Sequence, residues 1–384
     1  MTVRLKSKRI ILEDKIISGY VYFTDGRISA VTDAVLPFDE ETDLGELYVS
    51  PGFTDIHTHG AGGYDFSSST EAVIRAASAH LSHGATSIFP TISAAPIKSI
   101  AKSVGYIREA MKSDKTPGNI IGAHVEGPYF NKEYCGAQNT DYITAPLAND
   151  YIPLLSENYD VIKRISYAPE LDTGNAFLTE MRKYGIVASA GHTGARYSDI
   201  DRAIAGGLSL VTHLYSCTST VTREYGFRHP GVIETALLRD DIYAEIIADG
   251  KHLPYELIRL VVKAKGADKV ALITDSLYPA GTTEDGEVKA EAGFIIEDGV
   301  CKLKDRSAFA GSICTTDRCV REVHYGAGIP LYKAVKMISA VPCRIMGLNK
   351  GILASGYDAD ITVFDDDIRI KQVYVGGKLK INNL

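Results

Sequence analysis

Apolar and polar positions alternate in short runs from about Val3 to Ser50, as half-buried strands require. Residues 9–12, 17–23 and 28–31 read as strands, and Asp25-Gly26 between the last two is a hairpin signal. A second strand-rich piece closes the chain, where 359–364 and 373–375 flank a break and Gly376-Gly377 reads as a turn. Neither end carries enough apolar surface to stand alone, so the two are expected to pack together as one small β domain.

Between the ends the period changes to strand then helix, repeated. Eight strands are expected, at 53–59, 85–89, 120–126, 165–168, 186–190, 209–214, 243–248 and 270–275. Ser68-Ser69-Thr70-Glu71 has the pattern of a capping box and opens a helix that should stop at Gly84. Ile97, Ile100, Val104, Ile107 and Met111 share one helical face. Ser198 and Asp201 repeat the start signal before Ile204, while Leu257, Leu260, Val261 and Ala264 form another amphipathic face. Eight such units describe a (β/α)8 TIM barrel more economically than an open sheet, and no Gly-x-Gly-x-x-Gly follows the first strand to support a dinucleotide fold. The expected organisation is α/β: a barrel over 53–343, with 1–52 and 344–384 supplying the two halves of the β domain. Residues 281–309, with Asp285-Gly286 and Asp298-Gly299, break the rhythm as a hairpin decoration on the eighth loop.

Composition narrows the function without choosing it. The 384-residue chain has a formal net charge of −7 and no Lys/Arg-rich block, so nothing recruits it to nucleic acid or an anionic membrane. No run is long enough to span a bilayer and no signal-peptide core opens the chain. The six cysteines include no Cys-x-x-Cys, which fits reduced thiols in a cytoplasmic protein rather than a disulfide frame or a thiolate zinc site.

Polar residues recur at the C-terminal ends of the expected strands, where barrel enzymes keep their chemistry. His57 and His59 end the first strand, and their two-residue spacing puts both on one face. Glu126 ends the third strand, His192 follows the fifth, His213 lies near the end of the sixth, and Asp275 ends the eighth. One such histidine alone is more often structural, but five strand ends agreeing in register define a site for zinc or iron. Histidines elsewhere take the plainer reading: His80 and His83 beside a helix C-terminus, His324 on a helix surface, and His229 and His252 in loops. His124 shares a strand face with Glu126, as barrel filler or as a support behind the ligands.

Over essentially its whole length the chain resembles the N-acetylglucosamine-6-phosphate deacetylases of the amidohydrolase superfamily. The resemblance rests on Pro51-Gly52-Phe53-Thr54-Asp55-Ile56-His57-Thr58-His59-Gly60, His124-Val125-Glu126-Gly127-Pro128, Ala168-Pro169-Glu170, Gly191-His192-Thr193, Thr212-His213-Leu214-Tyr215, Ile247-Ala248-Asp249-Gly250, Thr274-Asp275 and Ala310-Gly311-Ser312. It implies that the β domain of the two chain ends is a β-sandwich, that Glu126, His192 and His213 hold the main divalent ion, that His57 and His59 hold a second where present, and that Asp275 is the catalytic acid and base. Gln138, Ser216, Cys217, Arg228 and His252 are implied as substrate contacts, with Arg228 reaching the phosphate of a neighbouring subunit in a homodimer. Metal-dependent deacetylation of N-acetylglucosamine 6-phosphate in amino sugar catabolism follows as the expected activity. No lysine stands at the end of the fourth strand, in Tyr167-Ala168-Pro169-Glu170, which sets aside relatives that bridge two metals with a carboxylated lysine.

Departures from the family pattern concern the substrate. Ser216-Cys217 replaces the usual Asn-Ala, Gly194-Ala195-Arg196 follows His192-Thr193, and His229 interrupts the motif after Arg228. Arg196 is read as an extra positive charge for the phosphate or as a rim residue. Two other readings stay open from these residues: a deacetylase of another N-acyl amino sugar phosphate, such as N-acetylgalactosamine 6-phosphate, and a silent sugar-phosphate-binding homologue.

Overall fold

The computed structural model describes residues 1–282 and 293–384, with the backbone of Lys289–Ala290 between them. Parallel strands Phe53–Thr58, Ala85–Ile92, Ala123–Glu126, Ile162–Tyr167, Val187–Ala190, Leu210–Val211, Tyr243–Ile247 and Val270–Ile273 form one eight-stranded sheet in chain order. Hydrogen bonds from Asp275 N to His57 O at 2.9 Å and from His59 N to Ser276 O at 2.8 Å join the last strand to the first. The sheet is therefore the expected closed barrel. The sixth strand is shorter than expected because His213 (φ 26°) and Tyr215 (φ 77°) turn the backbone off the ladder.

Helices cover the barrel as the periodicity predicts, with local corrections. Ile97–Lys112 buries Ile100, Val104 and Ile107. Thr70–Ser82 is capped by Ser69, which accepts from Ala72 N, while Glu71 pairs with Arg75 instead of completing a capping box. Gly84 (φ +91°) ends this segment, and a Cβ there would lie 2.9 Å from the Phe53 ring. Tyr197–Gly206 starts before Ser198, and the carboxylate that reaches back to Arg196 N belongs to Asp199, not Asp201. In Tyr255–Lys265 the inward face is Ile258, Val261 and Lys265, so Leu260 is exposed rather than buried.

Strands from the two chain ends build one mixed eight-stranded sheet rather than two separate units. Thr2–Ile11, Ile16–Thr24, Arg27–Thr32, Glu40–Asp43 and Tyr48–Pro51 join Ile361–Phe364, Ile370–Val375 and Lys378–Asn382. Antiparallel pairing of Val49 with Val363 and of Pro51 with Ile361 makes the seam between the ends. Asp25 (φ 50°) and Gly26 (φ 79°) form the first hairpin turn, and Gly376 (φ 54°) and Gly377 (φ 73°) the last, both in the left-handed geometry that suits a two-residue hairpin. A core of Leu5, Ile10, Val21, Phe23, Val49, Ile361 and Val363 lies within the sheet. In the loop after the eighth barrel strand, Phe294–Glu297 and Val300–Leu303 pair around Asp298 and Gly299 as expected. Asp285-Gly286 lies outside the described residues.

The barrel interior is layered. Ile56, Phe89, Leu210, Ile247, Ala271 and Ile273 form an apolar cluster with Val341 and Ile345 of the helix Ala340–Ile345. A polar layer follows, in which Arg164, Ser166, Ser189, Thr212 and Glu245 are wholly buried. Above it, at the C-terminal ends of the strands, stand the residues of the candidate site.

Candidate active site

Left-handed backbone at strand ends places three of the site residues. His192 (φ 47°), His213 (φ 26°) and Asp275 (φ 48°) each turn sharply just past their strands, so their side chains lean over the barrel axis. Gly191 permits the turn before His192, because a Cβ there would lie 2.9 Å from the Thr212 Cβ. Glu170, absent from the expected site, fixes the same loop by accepting from Gly194 N at 2.7 Å and from Thr193 Oγ1 at 2.5 Å.

Glu126 is the hub. Its Oε1 lies 3.1 Å from His192 Nε2, 3.0 Å from His213 Nε2 and 3.4 Å from His57 Nε2. Its Oε2 lies 3.3 Å from His59 Nε2 and accepts from Gln138 Nε2 at 2.7 Å. Asp275 Oδ1 is 3.4 Å from His57 Nε2 and 3.3 Å from His59 Nε2. Two overlapping donor sets result, His57 with His59 and Asp275, and His57 with Glu126 and His213.

These residues fit a divalent ion on two grounds. His57 is wholly buried, yet neither Nδ1 nor Nε2 has a hydrogen-bond partner, a state that costs roughly 1–3 kcal/mol per group unless a ligand satisfies it. The other three rings have Nδ1 engaged, by Tyr134 O at 3.0 Å for His192, Ser216 O at 3.1 Å for His213 and Ser93 Oγ at 3.1 Å for His59. For His192 and His213 the partner is a carbonyl, so Nδ1 donates and Nε2 is the inward ligating atom of the neutral ring, the tautomer a metal needs.

Electrostatics bind the cluster together. Burial opposes protonation of His57, but Glu126 and Asp275 outweigh it and lift its pKa to about 10. His59 rises to about 8, against burial, through Asp275 and Glu126. Burial would raise the Glu126 carboxyl, yet the facing histidines hold it well below the usual range. A metal bound by the pair must therefore displace protons, so loading there strengthens as pH rises through this range. We expect His57→Asn with His59→Asn to cut metal content towards one ion per chain and leave partial activity, checked by elemental analysis beside an activity assay. Complete loss of both would show the pair to be indispensable.

A cavity of about 580 Å³ opens above the cluster, lined by His59, Glu126, His192, His213 and Asp275 and by Gln138, Ser216, Cys217 and His252. Gln138 spends its amide on Glu126 Oε2 and, through Oε1, on Ala94 N, which makes it a brace of the hub as well as a wall residue. His252 donates through Nδ1 to Asp249 Oδ2 at 2.7 Å and packs on the Phe309 ring. Arg228 does not line the cavity. It is exposed on a hairpin strand, Phe227–His229, and among the described residues its guanidinium donates only to Gly226 O, at 3.4 Å. Arg196 is likewise elsewhere, paired with Glu224 at 3.0 Å. His80 is no helix-end cation: it is buried against Thr58 Oγ1 at 2.8 Å and burial lowers its pKa to about 3. His124, bonded to Thr91 and Ser166, belongs to the polar layer beneath the site.

A (β/α)8 barrel with imidazoles and carboxylates gathered at the C-terminal mouth defines a hydrolase of the metal-dependent barrel class. The chain belongs to the amidohydrolase family, which it matches over residues 48–380. It is 32% identical to the N-acetylglucosamine-6-phosphate deacetylase of Haemophilus influenzae, covering 92% of this chain and 93% of that one. The N-acetylglucosamine-6-phosphate deacetylase structure from Pasteurella multocida superposes with a TM-score of 0.90 at 28% identity over 100% of both chains. A variant of the Mycobacterium smegmatis deacetylase in complex with N-acetyl-D-glucosamine-6-phosphate also gives 0.90, at 26% identity over 99% of this chain and 100% of that one.

Proposed function

We propose that the chain removes the acetyl group of N-acetylglucosamine 6-phosphate, releasing acetate and glucosamine 6-phosphate. The observation that carries this reading is the convergence of four imidazole Nε2 atoms on Glu126 and Asp275 at the floor of the cavity. The relatives named above support the substrate.

His57, His59, Glu126, His192 and His213 are the residues that would hold the metal, zinc or iron. When bound, a divalent ion supplies an acidified water at neutral pH and draws electrons from the amide carbonyl. Asp275 takes the proton of the attacking water as the new C–O bond forms. It returns that proton to the amide nitrogen as the C–N bond breaks, so the amine leaves neutral. His252 supplies a cationic edge for the phosphate: burial opposes its charge, but Asp249 outweighs burial and raises its pKa above the ordinary value. Ser216 and Cys217 shape the wall in place of the family's usual pair, which favours comparing the N-acetylgalactosamine phosphate as a second substrate. Acetate release from a panel of N-acetyl amino sugar phosphates tests the assignment. Turnover of some other N-acyl compound, with none of the panel, would refute it.

The phosphate contact assigned to Arg228 requires a second chain, since the residue is exposed and is not among those lining its own cavity. The hairpin that carries it also exposes Tyr225 (99%) and Phe227 (73%), aromatic surface that a homodimer would cover. Arg228→Ala is expected to raise KM roughly 10–100-fold with little change in kcat, the worth of a charge-assisted hydrogen bond. Steady-state kinetics and light scattering check both parts, and an unchanged KM or a monomer in solution would count against the shared site.

A further inference from the structure

Three of the four imidazoles at the hub have Nδ1 bonded to a neighbouring oxygen, and His57 is the exception. What its Nδ1 faces is Glu245 Oε2, at 3.6 Å. Glu245 rises from the seventh strand, wholly buried, inside an otherwise apolar run. Arg164 grips both of its oxygens, with Nη2 donating to Oε2 at 2.8 Å and Nη1 donating to Oε1. The guanidinium is itself fixed by donating to Ile56 O at 2.9 Å, one residue before His57, and to Thr212 Oγ1 at 3.1 Å, one residue before His213. Oε2 also accepts from His213 N at 3.4 Å. One carboxylate thus reaches the ring of one hub histidine and the backbone of another.

We propose that Glu245 is the positioning residue for His57, supplying the carboxylate that Nδ1–H faces so that Nε2 is kept as the ligating atom, with Arg164 holding Glu245 in place. The inference rests on the metal reading above. A buried ion pair serving only as filler is replaceable by apolar side chains of similar volume at little cost. A carboxylate behind a ligating imidazole is not, because it sets the tautomer and the basicity of the ring, and its loss typically lowers metal affinity roughly 10–100-fold.

Chelator competition for Zn²⁺ on the purified full-length protein, read beside Tm, separates the two roles. Glu245→Gln is expected to weaken Zn²⁺ binding roughly 10–100-fold. In Glu245→Gln with Arg164→Met, which removes the unpaired cation, Tm should recover while affinity stays low. Wild-type affinity in the single variant, or affinity that returns together with Tm in the double, would overturn the proposal. Glu245→Asp keeps a charge for Arg164 but withdraws it from His57, so it should show the same loss even where the Gln variant folds poorly; unchanged affinity there is equally fatal. A wild-type chain that binds no Zn²⁺ would instead overturn the metal reading, a result visible before any variant is made.

Discussion

Asp275→Asn is expected to lower kcat by between roughly 10² and 10⁴-fold, the contribution of a positioned general acid and base. The amide keeps the shape of the carboxyl group but cannot take the water proton, so both bond making and amine departure suffer. Because Asp275 Oδ1 lies 3.4 Å from His57 Nε2 and 3.3 Å from His59 Nε2, the variant should also loosen an ion held by that pair. The Glu126, His192 and His213 set remains, and metal content should fall no further than one ion per chain. Rapid-quench kinetics together with elemental analysis measure the two effects separately. Undiminished turnover would remove Asp275 from the mechanism.

Glu126→Gln should have the broader effect. Its two oxygens face all four hub imidazoles, and no other described residue does so. An amide in that position offers one weaker oxygen and a donor that points at rings already presenting lone pairs. Metal affinity should drop by more than the roughly 100-fold typical of losing an outer partner, and activity should fall to background even with excess metal. The fold should persist, since Gln is close in volume and Gln138 can still bond the retained oxygen. Circular dichroism confirms folding, and metal titration reads the loss. A variant that binds metal as the wild type does would displace Glu126 from the centre of the site.

The histidine pair, Glu126, His192, His213 and Asp275 were legible because strand-end positions are local facts of the pattern. Each follows or ends an apolar run, and barrel topology brings all such ends to one mouth. Glu245 left a signal too, a lone charge inside an apolar strand, but only closure of the barrel shows that it meets Arg164 of the fourth strand. Gln138 and Glu170 came only through the family resemblance, and their bracing roles left no mark in the pattern, being loop residues whose partners lie 12 and 24 positions away in sequence. The pattern places the helix start at Ser198 rather than Arg196 because Asp201 mimics the capping carboxylate that Asp199, two residues earlier, supplies. His80 was misread because its helix turns it inward, onto Thr58.

By itself, then, the sequence determined the alternation of strand and helix, the pairing of the two chain ends and the residues that crown the barrel, all of which depend on hydrophobic period and position along a strand. Tertiary structure alone decided which oxygen faces which imidazole, that Asp275 closes the His57–His59 pair, that Arg228 stands outside its own cavity, and that a buried ion pair lies under the hub. Those are distances between segments far apart in the chain, and they are set only when the barrel closes and the strand ends turn over its axis.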